Sequence, residues 1–365
     1  MPERDISPIT LPSRMSRRSF VKSSAAMFAA VGGGGTLLSA CGGSSSGSSS
    51  GGVEDVTFLN VIPIESISNT AEMLADAGGY FKRHGLKVTF EATNGSAPAI
   101  QTVIQGSALI TRLGDIETQV AIATKDAPLV NVGAVEKGGG LIQFVSSERR
   151  PLMKPEDFRG AKMGLPSIGG TSENTLDLVL AAGGVPASSV QRQVVGLTPG
   201  VFSLVEQGRI DGYVVSLDTS LLILREEPTA LSFAPASVIS AGNQQYTTSE
   251  RQLSDETQAD QVRRFLLGIR DAIEFVIDDE KNDFKKTMGT ISAKYVVPAF
   301  KDRQVSVEAL KRYVGSWTAD GQDQIVQTNP AVWQATYDEL VNAEIVPGGQ
   351  NPKDWITDEY APTGA

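Results

Sequence analysis

The stretch from residue 87 to residue 113, "KVTFEATNGSAPAIQTVIQGSALITRL", has the pattern of a strand, a helix and a second strand. Residues 87–92 and 108–113 are rich in β-branched and apolar side chains, which is typical of strands. Between them Ser96 opens a helix with Pro98 in its first turn. Apolar side chains then recur at helical spacing on one face: Ile100, Val103 and Ile104. This order predicts a βαβ unit and therefore a mainly parallel sheet.

The same alternation extends in both directions along the chain. Around the quoted stretch, further strands are predicted at 56–62 and 129–135, with a helix at 117–125 between the third and fourth strands. A second run of elements follows with strands at 141–146, 162–165, 190–195, 211–217 and 230–233, and with helices opening near residues 170 and 200. After residue 240 the pattern is helical. The sequence therefore predicts the α/β class.

Length and these two runs together predict two domains. A chain of 365 residues exceeds what a single core usually fills. The strand at 141–146 would carry the chain into a second lobe, and a crossing near 237–240 would return it to the first. The expected division is lobe I at 53–140 plus 238–365, including the C-terminal helices, and lobe II at 141–237.

Composition and charge exclude several function classes. The chain has a formal charge of −10, and the part after residue 41 carries 27 bases and 40 acids, a balance of −13. Nucleic acid is therefore not an expected partner. A single cysteine excludes an intramolecular disulfide framework, and no metal-ligand spacing or nucleotide motif is present. We expect no metal, no cofactor and no catalytic residues.

The N-terminus predicts export. Arg17 and Arg18 stand just before a weakly apolar stretch of small residues, which indicates a signal of the twin-arginine type. A retained transmembrane helix is the alternative, but the stretch is barely apolar enough for a bilayer because it contains four consecutive glycines. The predicted signal covers residues 1–41, and the Gly/Ser-rich residues 42–52 form a flexible linker.

The only cysteine, Cys41, closes this signal. The sequence Leu38 to Cys41 resembles the lipobox of bacterial lipoproteins, in which the thiol is alkylated by diacylglycerol. The following Gly/Ser run offers no side chains around which a buried cysteine could pack. We therefore expect lipidation of Cys41 and a protein anchored at the outer face of the cytoplasmic membrane.

The body of the chain resembles a known family. The segments "AGGYFKRHGLKVTFEATNGSAPAIQTVIQGSALITRLGD", "MKPEDFRGAKMGLPSIGGTSENTLDLVLAAGGV" and "SLVEQGRIDGYVVSLD" occur in the order found in periplasmic substrate-binding proteins of the aliphatic sulfonate, taurine, nitrate and thiamine-precursor group. The resemblance covers about residues 53–346. It implies a type II periplasmic binding protein with two doubly wound α/β lobes joined by two crossover strands. It also implies capture of a small solute between the lobes and delivery to an ABC permease with its ATPase.

Ligands of open α/β sheets gather where strands end and helices begin. Matching those loops to the ligand-contacting loops of the family implies a set of candidate binding residues: Ser66, Asn69, Gly95, Ser96, Asp115, Glu117, Gly170, Thr171, Ser172 and Asp218. Ser96, Asp115 and Thr171 also fit the simpler role of helix caps.

The same loops are acidic and contain no lysine or arginine. Because a buried anion needs compensation, a strongly charged anion is disfavoured, and a neutral or cationic polar heterocycle is as plausible.

Two alternatives share these features. A solute sensor that docks on a membrane receptor would have the same fold and anchor. An enzyme resembling the thiamine-pyrimidine synthases would need a histidine and a cysteine-rich iron motif, whereas the only histidine, His84, stands in the predicted turn "KRHGL". The expected protein is a monomeric solute-binding lipoprotein rather than an enzyme.

Overall fold

A computed structural model describes residues 52–61, 63–93, 95–139 and 141–362. The predicted signal, Cys41 and the linker up to residue 51 lie outside the described residues. The chain from Gly51 to Ala365 is one structural unit. Among the helices described, none combines the length and the apolar character that crossing a bilayer requires.

The first lobe is built on a five-stranded sheet with the strand order β2-β1-β3-β10-β4. β1 pairs in parallel with β2 and β3, whereas β10 is antiparallel to both β3 and β4. Four of its strands thus run in one direction. The bounds are β1 Glu54–Asn60, β2 Leu86–Ala92, β3 Ile110–Gly114, β4 Leu129–Glu136 and β10 Gln244–Ser249.

The second lobe repeats this plan with the order β7-β6-β8-β5-β9. β6 pairs in parallel with β7 and β8, and β5 is antiparallel to β8 and β9. Each lobe therefore has one reversed strand in a mainly parallel sheet. The bounds are β5 Ile142–Ser147, β6 Lys162–Leu165, β7 Gln191–Val194, β8 Gly212–Ser216 and β9 Ala230–Phe233.

Twelve α-helices connect and cover these strands in the described part of the chain. In the first run they are α1 Thr70–Ala77, α2 Tyr80–Arg83, α3 Ser96–Ile104 and α4 Asp115–Lys125, and in the second α5 Thr171–Ala182, α6 Phe202–Glu206 and α7 Leu217–Glu226. The C-terminal part adds α8 Glu250–Leu253, α9 Glu256–Asp279, α10 Lys285–Ser292, α11 Arg303–Trp317 and α12 Pro330–Asn342.

The apolar face of α9 forms the centre of the first core. Its side chains at Val262, Phe265, Leu266, Ile269, Ile273 and Val276 are buried. Phe265 stacks on Phe58 of β1 with ring centroids 5.2 Å apart, and Phe81 stacks on its ring at 5.0 Å. The long helix is therefore fixed to its sheet by packing of large rings.

The fold class predicted from the sequence is confirmed, but one strand was missed. Residues 244–249 were expected to be helical, and they form β10 in the interior of the first sheet. The segment "QQYTTS" lacks an apolar alternation because its own buried residues, apart from Tyr246, are polar. Its position is determined by pairing with β3 and β4 rather than by a hydrophobic pattern.

Two crossover segments join the lobes, residues 137–141 between β4 and β5 and residues 234–243 between β9 and β10. Gly139 and Gly242 adopt φ values of +60° and +106°, a region that side chains disfavour. The second segment is held by α12, because Glu339 accepts hydrogen bonds from the backbone N–H groups of Ser240 and Ala241 at 2.7 and 3.1 Å.

The second core includes helices from both parts of the chain. Phe144, Phe158 and Met163 cluster with Ile116 of α4 and Leu340 of α12. The C-terminal helix therefore packs into the core of the second lobe. The residue bounds expected for the two lobes stay a prediction.

Candidate functional site

A cavity of about 290 Å³ lies between the two lobes. The first lobe lines it with residues that follow β1, with the start of α3 and with charged side chains of β3 and β4. The second lobe contributes the loop before α5, residues 195–197 after β7 and the end of β8. The wall therefore forms where strands end and helices begin, as expected for an α/β sheet.

Half of the candidate residues lie in this wall. They are Asn69, Gly95, Ser96, Thr171 and Ser172. The first three come from the first lobe and the other two from the start of α5, so that a solute in the cavity would touch both lobes. Gly95 has a φ of +138° and permits the sharp turn into α3.

Of the other candidates, Ser66 and Gly170 lie at turns next to the wall rather than in it. Ser66 caps the short 3-10 helix Ile67–Asn69, because its Oγ accepts a hydrogen bond from the backbone N–H of Ser68 at 3.3 Å. Gly170 precedes α5, and a side chain there would meet Ser167 Oγ at 2.9 Å.

Asp115 lies outside the wall and holds the second crossover segment. It is buried, and its carboxylate accepts hydrogen bonds from Asn243 Nδ2 at 2.7 Å, from Thr336 Oγ1 at 2.9 Å and from the backbone N–H groups of Gly242 and Asn243. Burial raises the pKa of Asp115 to about 6, although these hydrogen bonds oppose the shift. The residue joins α4, the crossover and α12.

Glu117 stands where the first turns of α3, α4 and α5 meet. Its Oε1 accepts hydrogen bonds from the backbone N–H of Gly114 at 2.7 Å and from Ser96 Oγ at 3.1 Å. A methyl group on Gly114 would lie 2.4 Å from Glu117 Oε2 and 2.8 Å from Thr171 Cγ2. The two lobes are therefore in contact at this point.

Asp218 is buried at the start of α7, outside the wall, and its Oδ1 has no hydrogen-bond partner in the described structure. Burial raises the pKa of Asp218, although nearby donors such as Ser216 oppose the shift.

The wall also contains charged residues that the loop-based prediction missed. Arg112 of β3 and Glu136 of β4 line the cavity and form an ion pair, and Arg112 Nη1 also contacts Glu72 Oε1 of α1 at 3.2 Å. Burial alone would lower the pKa of Arg112, but the two carboxylates raise it. Burial raises the pKa of Glu136 to about 7, because loss of water outweighs the favourable charge of Arg112.

A sequence signal for this cluster existed. "ALITRLG" and "LVNVGAVE" each place one charged residue in an otherwise apolar or small-residue strand, and such a charge is rarely buried without a partner.

Two further wall residues have unsatisfied polar atoms. Asn60 and Tyr313 are buried and line the cavity, and neither Asn60 Oδ1 nor Tyr313 Oη has a hydrogen-bond partner among the described residues. Buried polar atoms are normally paired, so such atoms in a cavity indicate a place for a bound molecule.

Residues 67–282 match the family model described as NMT1/THI5 like. The matched segment covers more than half of the chain and contains the elements from α1 to β10, which include most of those around the cavity. The chain belongs to the NMT1/THI5-like family. Comparison with curated protein sequences gives no match.

Solved structures with the same fold include binding proteins and an enzyme. The NMT1/THI5-like chain is 16% identical to the alkanesulfonate-binding protein SsuA from Xanthomonas axonopodis pv. citri bound to MOPS, with a TM-score of 0.61 over 83% of this chain and 97% of that one. The aliphatic sulphonate binding protein SsuA from Escherichia coli is similar at 16% identity, with a TM-score of 0.60 and the same coverage. The desulfurization enzyme DSZB is 12% identical, with a TM-score of 0.53 over 84% of this chain and 97% of that one. These likenesses show the fold alone.

The only histidine of this NMT1/THI5-like chain lies away from the cavity wall. His84 Nε2 contacts Asp271 Oδ2 of α9 at 2.9 Å. In the described ranges no group of three His, Cys, Asp or Glu side chains is arranged to hold a metal ion.

Proposed function

We propose that this NMT1/THI5-like protein is an extracytoplasmic solute-binding protein of an ABC importer. It captures a small polar organic molecule in the cavity between its lobes and delivers it to a membrane permease and its ATPase. The cavity wall, formed by both lobes and containing buried polar atoms without partners, is the observation that carries this proposal.

The proposed mechanism is closure of the two lobes on the solute, because residues of both lobes contact it. Asn69, Gly95 and Ser96 bind the solute from the first lobe, and Thr171 and Ser172 bind it from the second. A solute that contacts both lobes stabilises the closed state of the protein. The stabilisation depends on the contacts that the solute makes in the closed state but not in the open one. The permease then recognises the closed protein.

The names of the structural neighbours support the class but not the ligand. Two of them are binding proteins for alkanesulfonate or aliphatic sulphonate. At 16% identity the shared fold says nothing of the solute of this chain. The neighbouring desulfurization enzyme shows that the fold also supports catalysis, but no described feature of this cavity favours an enzyme.

The predicted anchor fits a protein that serves a permease. Lipidation of Cys41 after export by the twin-arginine route would hold a monomer at the outer face of the cytoplasmic membrane, and residues 42–52 would let it turn toward its partner.

The test combines binding and transport. Thermal-shift screening of the folded unit 51–365 against heterocycles, amines, carboxylates and sulfonates is expected to find a solute that raises its Tm. A Thr171→Ala/Ser172→Ala variant should bind that solute less tightly with little change in its own Tm. Cells that lack the protein should lose uptake of the solute. Continued uptake would contradict the importer role, and binding without uptake would favour the sensor.

A further inference from the structure

We propose that the solute of this cavity is an organic cation with N–H donors, bound by Glu136 and Asn60. This ligand class rests on the proposed solute-binding function and refines it.

The charge of the wall comes from one small cluster. Among the described residues that line the cavity, Arg112 is the one base and Glu136 the one acid. Glu72 contacts Arg112 from behind and is fully buried. With both carboxylates ionised, the cluster has one more negative charge than positive, which favours a cation in the cavity.

The guanidinium of Arg112 is already engaged. Nη1 donates to the Ser68 carbonyl at 2.7 Å and to Asn69 Oδ1 at 3.3 Å, besides its contact with Glu72, and Nη2 donates to Glu136 Oε1. An anionic solute would have to compete with these acceptors for Arg112, and it would also face Glu136.

Asn60 Oδ1, an unpaired polar atom in a wall residue, can act only as a hydrogen-bond acceptor. Because Arg112 donates to Asn69 Oδ1, Asn60 must turn its Nδ2 toward that same oxygen, which it meets at 3.4 Å. Asn60 Oδ1 is then left as an acceptor without a partner. Glu136 lines the cavity and uses Oε1 for Arg112. A solute that satisfies Asn60 Oδ1 must bring a donor, and a donor that carries a positive charge also pairs with Glu136.

Helix N-termini carry partial positive charge and favour anions, but those at this cavity do not reverse its preference for a cation. The first turns of α3, α4 and α5 meet around Glu117, whose Oε1 already bonds to Gly114 N and to Ser96 Oγ. Its Oε2 is buried without a partner beside Thr171. The positive ends of these helices therefore have a carboxylate of the protein itself beside them.

Three ring compounds of nearly equal shape test the proposal: benzamidine, benzamide and benzoate. They present a cationic donor, a neutral amide and an anionic acceptor on the same ring. Titration calorimetry with the folded unit 51–365 is expected to give a Kd for benzamidine at least about tenfold below that for benzamide, and no measurable heat with benzoate.

Paired substitutions assign the effect to the cavity wall. Glu136→Gln is expected to weaken benzamidine binding by about tenfold or more, because the charge facing the solute is removed. Asp338→Asn on the exposed side of α12 is the matched control: it removes one carboxylate that is outside the wall and in solvent, and it should change the Kd by less than about threefold. Asn60→Leu removes the neutral acceptor together with the Nδ2 donor to Asn69 Oδ1, leaves the charges of the wall unchanged and provides a second test should Glu136→Gln not fold.

Tighter binding of benzoate than of benzamidine, or no binding of benzamidine at all, overturns the proposed ligand class. An equal loss in the Glu136→Gln and Asp338→Asn variants also overturns it. The solute-binding function would survive these results if any solute of the broader screen raised the Tm, and it would fail only if none did.

Discussion

Glu136 combines two properties that are rarely found in one side chain. It is a buried carboxylate paired with an arginine, and it also lines a cavity. Burial raises its pKa to about 7, so its charge changes within the physiological range. The charge of the cavity therefore depends on pH.

This gives a pH dependence with a definite sign. A raised pKa means that Glu136 is mostly protonated below about pH 6 and ionised above about pH 8, so the affinity for benzamidine should rise with pH across that range. Calorimetry at several pH values measures it. The Glu136→Gln variant should give a nearly flat profile, and a fall in affinity with rising pH in the unmodified protein would contradict the expectation. The other titratable groups around Glu136 are Arg112, Glu72, Asp218, Tyr246 and Tyr313.

Asp115 gives a second prediction at this scale, concerning stability. At neutral pH its carboxylate accepts donors from the crossover and from Thr336. Asp115→Asn turns an amide NH₂ toward donors, and it should lower the free energy of unfolding by about 2 to 4 kcal/mol in a urea titration.

The matched control for that substitution is Asp338→Asn on the exposed side of α12, where Asp338 accepts a hydrogen bond from Gln334. It should change the free energy of unfolding by less than about 0.5 kcal/mol. Similar effects of the two substitutions would show that Asp115 does not hold the crossover.

Loop residues and strand residues differ in how well the sequence predicts them. Asn69, Ser96 and Thr171 could be placed in the site because the ends of parallel strands meet at one sheet edge. Arg112 and Glu136 could not, because a period-2 or continuous strand pattern does not distinguish a side chain that faces a cavity from one that faces the core.

At the scale of elements, the two lobes touch where the start of α4 meets the start of α5, and the absence of a side chain on Gly114 allows this close approach. Gly114 has a φ of −74°, so alanine is permitted by its backbone, but the added methyl would lie 2.4 Å from Glu117 Oε2 of its own lobe and 2.8 Å from Thr171 Cγ2 of the opposite lobe. The glycine is needed for close approach rather than for its backbone freedom.

Gly114→Ala should therefore weaken the binding of benzamidine by about threefold to tenfold, because overpacking at the lobe contact disfavours the closed state. Gly289→Ala in α10 is the control, since a methyl there meets open space. It should leave the Kd unchanged and raise the free energy of unfolding by up to about 1 kcal/mol. A Gly114→Ala variant with unaltered affinity would mean that this contact does not limit closure.

Most elements followed from the sequence because strands with β-branched residues alternate with amphipathic helices. β10 is the exception, because its sequence lacks the apolar pattern that identifies the other strands. Gln245 and Thr248 are buried polar residues: Gln245 Oε1 accepts a hydrogen bond from Asn131 Nδ2 of β4, and Thr248 Oγ1 donates one to the carbonyl of Leu109. Such a strand has no hydrophobic signature, and only the pairing of strands distant in sequence identifies it.

At the scale of the whole molecule, the predicted anchor decides where the cavity operates. Cys41→Ser in the full chain should move the protein from the membrane fraction to the soluble fraction, because burial of acyl chains stabilises it in the bilayer by about 0.8 kcal/mol per methylene. Fractionation with immunoblotting measures this. Ser45→Ala, a change of one hydroxyl in the linker, should leave the protein in the membrane fraction. Retention of the Cys41→Ser variant there would count against lipidation.

The joint between the lobes is completed by the last helix of the chain. Thr336 bonds to Asp115 across a separation of 221 residues, and Glu339 fixes the returning crossover from the same helix. Contacts so distant in sequence form late and slow the search for the native state. A chain that ended before α12 would therefore lack the contacts by which Thr336 and Glu339 hold Asp115 and the returning crossover.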